Sequence, residues 1–371
     1  MARLHRRPFK AALLGLDHPH SAAYLNTLLS FREISHVSLW DENAHPALLD
    51  TLPRTDKIER FTTNLTGLLA QGDLDFALLC VRTDQAAEIG ARVVAAGKHL
   101  LVEKPAGMNS DEIRAVIRAA RRAGVQACVA YAHRFQPAML DARRLIASGA
   151  IGRMLSIEGR MLTTQVRFRD PKVWFFHRRY AGGGILTWLG CHFLDLMQEI
   201  SGDRIAAVFA QTETLSGEKI DVEDTATLAL TFESGAIGTF HAGYILAHSG
   251  GGFVNSGGYD TYLAWNGQDG RIVWPGIVPR LHVESPVKRG PTVREKTYSL
   301  KKTSSYGGAA GDAFFRQFLA AIRGQAEPPA TLADALRVAR VIEAAAKSAK
   351  TGRLIKVWRD PAPPIQAKGS C

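Results

Sequence analysis

The first 130 residues alternate short apolar runs with helical segments, and that rhythm restricts the fold more than any other feature. Residues 9–15 read as a buried strand ending in glycine, with a helical pattern over 20–30. Further strands read at 37–40, 76–81, His99–Val102 and 126–131. Between them, residues 46–52, 63–70, 85–96 and Ser110–Ala123 carry helical spacing, and Gly97 and Gly124 close two of these helices. Runs of four to seven residues without polar alternation are strands covered on both faces. Repeated β-α-β units then give parallel strands with helices on either side, a doubly wound α/β sheet.

After Tyr131 the rhythm changes. Residues 137–148 read as a helix, 154–161 as an alternating strand, and 184–200 as one long apolar-rich helix. Strand-like stretches follow at 206–214, Thr225–Phe232, 236–242, 261–265, 271–273 and 294–300, separated by turn residues such as Glu233-Ser234-Gly235. That pattern predicts a large, open, mostly antiparallel sheet with one face covered. Helices at 309–322 and 332–349 close the chain. The expected division is a first α/β domain over 1–133, a second over 134–360, and a mobile proline-rich tail over 361–371. The Gly/Ser-rich segment 248–258 reads equally as a hairpin connection or a loop near a ligand.

Composition narrows the partners. With 371 residues, 46% hydrophobic and 22% charged, the chain has two domains' worth of ordinary globular sequence. No apolar run approaches the roughly 18–20 residues of a membrane span. The net charge of +11 favours anionic ligands, but the basic residues are scattered beyond Arg3, Arg6, Arg7 and Lys10. With no zinc-finger spacing, basic zipper or RNA-binding aromatic signature, a phosphate-bearing small molecule is expected rather than nucleic acid. Cys80, Cys128, Cys191 and Cys371 form no C-x-x-C and read as reduced thiols of a cytoplasmic protein. Arg6-Arg7 ahead of an apolar run faintly resembles an export signal, yet Asp17-His18-Pro19-His20 breaks that run and cleavage would remove the first strand.

A glycine where the first strand meets the first helix is where a doubly wound sheet binds a dinucleotide. The full G-x-G-x-x-G pattern needs glycine at 15, 17 and 20; the chain carries Gly15, Asp17 and His20. Asp17 would repel a pyrophosphate, whereas His18 and His20 would donate to it if they face it. Asp41 ends the second strand 26 residues beyond Gly15, where a carboxylate accepts from the ribose 2′-OH and repels a 2′-phosphate, which favours NAD over NADP. A metal site built on the Asp-His-Pro-His loop lacks neighbouring ligand candidates, so no metal is expected.

Three segments make a specific match: Ala96-Gly97-Lys98-His99-Leu100-Leu101-Val102-Glu103-Lys104-Pro105, then Tyr131-Ala132-His133-Arg134-Phe135-Gln136-Pro137, then Gly182-Gly183-Gly184 with Gly190-Cys191-His192-Phe193-Leu194-Asp195. In this order and spacing they closely resemble the Gfo/Idh/MocA family of NAD(P)-dependent oxidoreductases. The resemblance implies a Rossmann domain, a second α/β domain whose open sheet makes homodimers or homotetramers, and a sugar or polyol substrate oxidised at a secondary hydroxyl. It implies that Lys104 bonds the reacting oxygen, that Pro105 shapes the turn aiming it, commonly through a cis bond, and that His192 takes the hydroxyl proton, work suited to an imidazole. Glu103, Lys104, Pro105 and Arg82 join Gly15, Asp17, His18, His20 and Asp41 as expected cofactor contacts. Lys104, Arg134, Trp174, Trp188 and His192 are the expected substrate contacts. Asp195 is expected to cap or orient its helix.

The departures from the family all touch the cleft. The family's D-x-x-x-H has Trp188 in place of the aspartate, which cannot share a proton but can stack on a sugar ring. The family's T-P-N-x-x-H becomes Val81-Arg82-Thr83-Asp84-Gln85-Ala86. The sequence therefore reads as a divergent branch whose first function is NAD-dependent hydride transfer. It also admits an NAD-dependent glycosidase or lyase using transient oxidation, and a non-catalytic dinucleotide-binding regulator.

Overall fold

The computed structural model describes residues 7–43, 52–53, 55–247, 258–276, 278–285 and 293–358. The expected helix over 46–52 lies largely outside them, as do most of the 248–258 loop and the whole 361–371 tail. The first sheet has six strands: β1 (Phe9–Leu14), β2 (Ile34–Trp40), β3 (Ile58–Thr62), β4 (Phe76–Leu79), β5 (His99–Val102) and β6 (Ala127–Val129). Their order is β3-β2-β1-β4-β5-β6 and every pair is parallel, the Rossmann arrangement. Phe9, Leu13, Leu14, Leu78 and Leu79 are fully buried, as strands covered on both sides must be. The covering helices are α1 (Ser21–Ser30), α2 (Leu65–Leu69), α3 (Thr83–Ala95) and α4 (Ser110–Ala123). Local signals fix α4: the Asn109 side chain accepts from the Glu112 N–H, Asp111 and Glu112 occupy the positive end, Arg121 and Arg122 the negative end, and Gly124 closes it at φ 66°. The β3 strand was not legible in the sequence because Ile58-Glu59-Arg60-Phe61-Thr62 is an edge strand with no fully buried residue.

The chain continues through a short 3₁₀ turn (Ala132–Phe135), α5 (Pro137–Ala147), β7 (Met154–Thr164) and the one-turn α6 (Arg178–Ala181). The expected helix over 184–200 is two elements: a π-helical turn (Leu186–Gly190) and α7 (Cys191–Ser201). The second sheet adds β8 (Ile205–Glu213), β9 (Thr225–Phe232), β10 (Ile237–Leu246), β11 (Tyr259–Gly267), β12 (Arg271–Trp274), β13 (Arg280–Glu284), β14 (Val293–Thr297) and β15 (Ile355–Lys356). Its order is β14-β13-β12-β11-β7-β10-β9-β8-β15, antiparallel throughout except for β7 beside β10. Helix α7 covers one face so closely that a Cβ on Gly159 would lie 3.0 Å from Met197 Sδ. Across the other face Phe209, Ala229 and Thr239 fall in register and stand exposed, with Ile237 and Ile245 on the same side of β10.

The last two helices, α8 (Gly308–Ile322) and α9 (Leu332–Thr351), return to the first sheet. Phe315 and Phe318 of α8 meet Phe76 edge-on at ring separations of 6.1 and 5.4 Å, and Thr331 bridges to Cys128. The first unit is therefore completed by sequence from the far end of the chain. Among the described residues no helix is long and apolar enough to cross a membrane.

Candidate active site

Gly15 turns the chain at the end of β1 with φ 94°, and a Cβ there would stand 2.2 Å from the Cys80 carbonyl oxygen. Only glycine fits both restrictions. Beyond it the loop is tied down from within. Leu16 N–H donates to Asp41 Oδ2 at 2.7 Å, Ser21 Oγ donates to the Gly15 carbonyl at 2.8 Å, and His20 N–H donates to His18 Nδ1 at 3.1 Å. The backbone N–H groups of Asp17 and His18 make no hydrogen bond among the described residues, so the loop keeps two donors at the head of α1.

Gly15, Asp17, His18, Asp41, Arg82 and Trp174 line one cleft at the carboxyl ends of β1, β2 and β4. That is where a doubly wound sheet takes its ligand. Asp41 is buried at the end of β2 and also accepts from Asn43 N–H. Arg82 pairs with Asp84 at 2.9 Å and lies 4.4 Å from the centre of the Tyr180 ring, so it walls the cleft with its charge already partnered. Burial holds the His18 imidazole down to about 3, with Glu103 opposing and His20 and Lys104 adding to the effect. His18 is therefore neutral near pH 7. Its Nδ1 faces the His20 N–H and, at 3.2 Å, the Cys80 thiol, which leaves the ring proton on Nε2.

His18 and His20 part ways. His18 faces the cleft, its ring 5.6 Å from that of Trp174. His20 turns inward: Nδ1 lies 3.0 Å from Glu103 Oε1 and Nε2 lies 3.2 Å from the Tyr306 hydroxyl. Glu103 also accepts from the Tyr24 hydroxyl. Burial alone would raise the Glu103 carboxyl; the hydrogen bond from His20 and the charges of Lys104, His20 and His18 outweigh it and hold it down at about 2. The carboxylate is thus an ionised, fully sheltered group beside the lysine.

Lys104 is 1% exposed, and its peptide bond to Pro105 is cis. Its Nζ donates to the Trp188 carbonyl at 2.9 Å, lies 3.9 Å from the centre of the Trp188 ring, and stands 3.6 Å from Glu103 Oε1. The Trp188 ring stacks on Phe175 at 4.6 Å and meets Trp174 edge-on at 5.4 Å. His192 is the second residue of α7, just past the π turn; its ring lies 4.6 Å from His133, and its buried Nδ1 has no hydrogen-bond partner among the described residues. Burial first, then His133, Lys104 and His20, hold the His192 imidazole well below its ordinary value. Both His192 and His133, the latter held at about 4, are neutral imidazoles at pH 7.

Arg134 does not join this group. Its Nε donates to Asp195 Oδ2 at 2.7 Å and a second nitrogen to Oδ1, while the third reaches Glu199 at 3.4 Å and Asp334 at 3.5 Å. The expectation of a substrate contact is corrected for a physical reason: every guanidinium nitrogen is committed to acids of α7 and α9. The sequence reading also missed His133, Tyr24 and Tyr306. His133 stands inside a motif already singled out, and Tyr24 lies one helical turn beyond His20, so both carried a signal. Tyr306 comes from the far end of the chain and carried none. Among the described residues no three His, Cys, Asp or Glu side chains are grouped to hold a metal ion.

Residues 9–131 match the model of an oxidoreductase family with an NAD-binding Rossmann fold, and residues 139–272 match the GFO/IDH/MocA C-terminal domain. The chain belongs to the Gfo/Idh/MocA family. The first unit of this Gfo/Idh/MocA protein is thus an NAD-binding Rossmann domain, and the free N–H groups beside Gly15 with the Asp41 carboxylate at the end of β2 fit that cofactor. Among similar proteins, levoglucosan dehydrogenase of Pseudarthrobacter phenanthrenivorans is 26% identical over 62% of this chain, which spans 63% of that relative's length. Inositol 2-dehydrogenase 2 of Saccharopolyspora erythraea is 27% identical over 96% of both chains. The structure of levoglucosan dehydrogenase with NADH and levoglucosan superposes with a TM-score of 0.83, at 23% identity over 95% of this chain and all of that one, and shows the same fold.

Proposed function

We propose that this protein is an NAD-dependent dehydrogenase of a compact cyclic sugar or polyol, moving a hydride between nicotinamide and a secondary carbinol or ketone. One observation carries the reading: Lys104 Nζ is held on the Trp188 carbonyl, four residues ahead of the neutral His192 imidazole that its charge depresses, and the Trp188 ring meets His18 and Trp174, which line the dinucleotide cleft. Bound NAD supplies the hydride acceptor or donor. Lys104 has three N–H donors and gives one to the Trp188 carbonyl, so another can hold the substrate oxygen and stabilise alkoxide charge. His192, neutral and with an open nitrogen, takes the hydroxyl proton in oxidation and returns it in reduction. Among the described residues no carboxylate orients it, and Trp188 stands four residues ahead of it. Trp174, half-buried in the cleft wall, offers an aromatic face to the C–H face of a sugar ring, whereas Trp188, buried with Phe175 stacked on it and the lysine over its ring, shields Lys104 from water rather than stacking on substrate. Relatives named for levoglucosan and inositol support the substrate class.

The test is NADH formation with levoglucosan, myo-inositol and D-xylose, run alongside Lys104→Ala and His192→Ala. Turnover should appear with at least one polyol and vanish in both variants. Variants as active as the parent would sink the mechanism. Cleavage of a glycoside with no net NADH would instead mark the transient-oxidation class, and dinucleotide binding without any turnover the regulator. Self-association belongs on the open face of the second sheet, where Ile237 is 64% exposed; Ile237→Lys should lower the molar mass seen by light scattering, and an unchanged mass would refute that placement.

A further inference from the structure

We propose that His20 is a positioning residue for the active-site lysine. Standing where the dinucleotide fingerprint has its third glycine, it holds the Glu103 carboxylate, together with Tyr24 and Tyr306, and the carboxylate in turn sets the place of the Lys104 ammonium.

The third glycine of the fingerprint exists so that helix and strand can pack closely. Here that position carries an imidazole whose side chain is only 22% exposed, lying between the Tyr306 ring at 4.5 Å and the Trp188 ring at 5.9 Å. Both of its nitrogens are used inside the protein, one on Glu103 and the other on the Tyr306 hydroxyl. Tyr306 is itself pinned by its backbone N–H on Thr27 Oγ1 at 2.9 Å, so the ring has a fixed stop on its far side. Glu103 has a side chain 2% exposed. A carboxylate that sheltered is costly unless its oxygens receive donors. His20 serves Oε1 and Tyr24 serves Oε2, so the group remains an anion.

The same Oε1 that accepts from His20 stands 3.6 Å from Lys104 Nζ. Glu103, the Trp188 carbonyl and the Trp188 ring therefore bound the ammonium on three sides and fix the direction of its remaining N–H donors. The charged or titratable groups facing His20 are His18 from its own loop, Glu103 and Lys104 from the end of β5, Tyr24 from α1, Tyr306 ahead of α8 and His192 from α7. Because His18, two residues away, lines the dinucleotide cleft, the clamp joins the cofactor loop to Glu103 by hydrogen bonds and Glu103 to the lysine by an ion pair. The role is exercised in the reaction proposed above, but its first readout does not depend on that reaction.

The test compares His20→Ala, His20→Asn and His20→Gly. Glutamate side chains are labelled with carbon-13, and Glu103 is assigned by its disappearance in Glu103→Gln. In the parent the Glu103 resonance should stay at its ionised position down to about pH 3, and in His20→Ala its midpoint should rise to about 4 or higher. His20→Asn, whose amide N–H can reach the carboxylate, should recover at least half of the shift, and Tyr306→Phe should move it less than His20→Ala does. On whichever polyol the parent turns over, His20→Ala and His20→Gly should lower kcat by roughly tenfold while KM and NAD⁺ affinity stay within about threefold, the signature of lost lysine placement. An unchanged Glu103 titration in His20→Ala overturns the proposal, as does a His20→Gly enzyme with parental kcat. If the parent turns over no polyol, the functional reading fails and the titration alone decides this one.

Discussion

Arg134→Met separates a structural role from a substrate contact most sharply. The substitution keeps an unbranched apolar stem and deletes the guanidinium. Glu199 would retain Arg143 at 3.0 Å, and Asp334 would retain Arg337 and its cap on Thr331, but Asp195, 3% exposed, would have no cation left among the described residues. Leaving one member of a buried pair uncompensated costs about 3–5 kcal/mol. The pH dependence follows from the same groups. Burial raises the Asp195 carboxyl, with Asp334 and Glu199 adding to it, and only Arg134 opposes. Without Arg134 all the remaining influences raise it, so the folded state binds a proton more readily than the unfolded state does. The deficit should therefore be largest near pH 8 and shrink as pH falls through the raised value. Urea unfolding at both ends of that range measures it, with NAD⁺ calorimetry as a check on the fold. Arg134→Met/Asp195→Leu should recover much of the loss, since an apolar pair replaces a stranded charge. A loss below about 1 kcal/mol accompanied by a large rise in KM would refute the reasoning and return Arg134 to the substrate.

Three further outcomes are expected. Lys104→Ala and His192→Ala should each abolish turnover while leaving NAD⁺ affinity within about tenfold by calorimetry, because the adenosine half of the cleft does not involve them. Because burial and His133 hold His192 well below the ordinary histidine range, the acid limb of kcat/KM should lie below pH 6.5; a limb at or above it would mean that His192 is not the base. Gly15→Ala should lower the thermal midpoint and abolish dinucleotide binding, since its Cβ would meet the Cys80 carbonyl at 2.2 Å in a backbone conformation that alanine avoids; retained binding would show that the loop is not the cofactor site.

The sequence was most informative where side chains face one environment along a whole element. Strands β1, β4 and β5 are apolar on both faces, so the parallel sheet was legible without its partners. Strands β3 and β13 were not: β3 is a charged edge strand, and β13, between β12 and β14, has exposed Arg280 and Glu284 at its ends, so both are strands only through their neighbours. The π turn at Leu186–Gly190 has the same apolar composition as the helix after it, so nothing local marked the break. At the site, Gly15, Asp41 and Lys104 were legible because each occupies a motif position at an element end. The opposed directions of His18 and His20 were not, since both lie in one loop and only the packing of Glu103, Tyr306 and Trp174 tells them apart. The commitment of Arg134 to Asp195 likewise depends on two helices meeting across 61 residues of chain.

The most direct test of the central claim is calorimetric titration of the purified protein with NAD⁺, NADH and NADP⁺, after a sample has been unfolded to release any retained dinucleotide. The account predicts NAD(H) binding, or NAD recovered on unfolding, with NADP⁺ weaker by at least about tenfold because the Asp41 carboxylate repels a 2′-phosphate. Absence of binding by all three, with none recovered on unfolding, or tighter binding of NADP⁺, would contradict it.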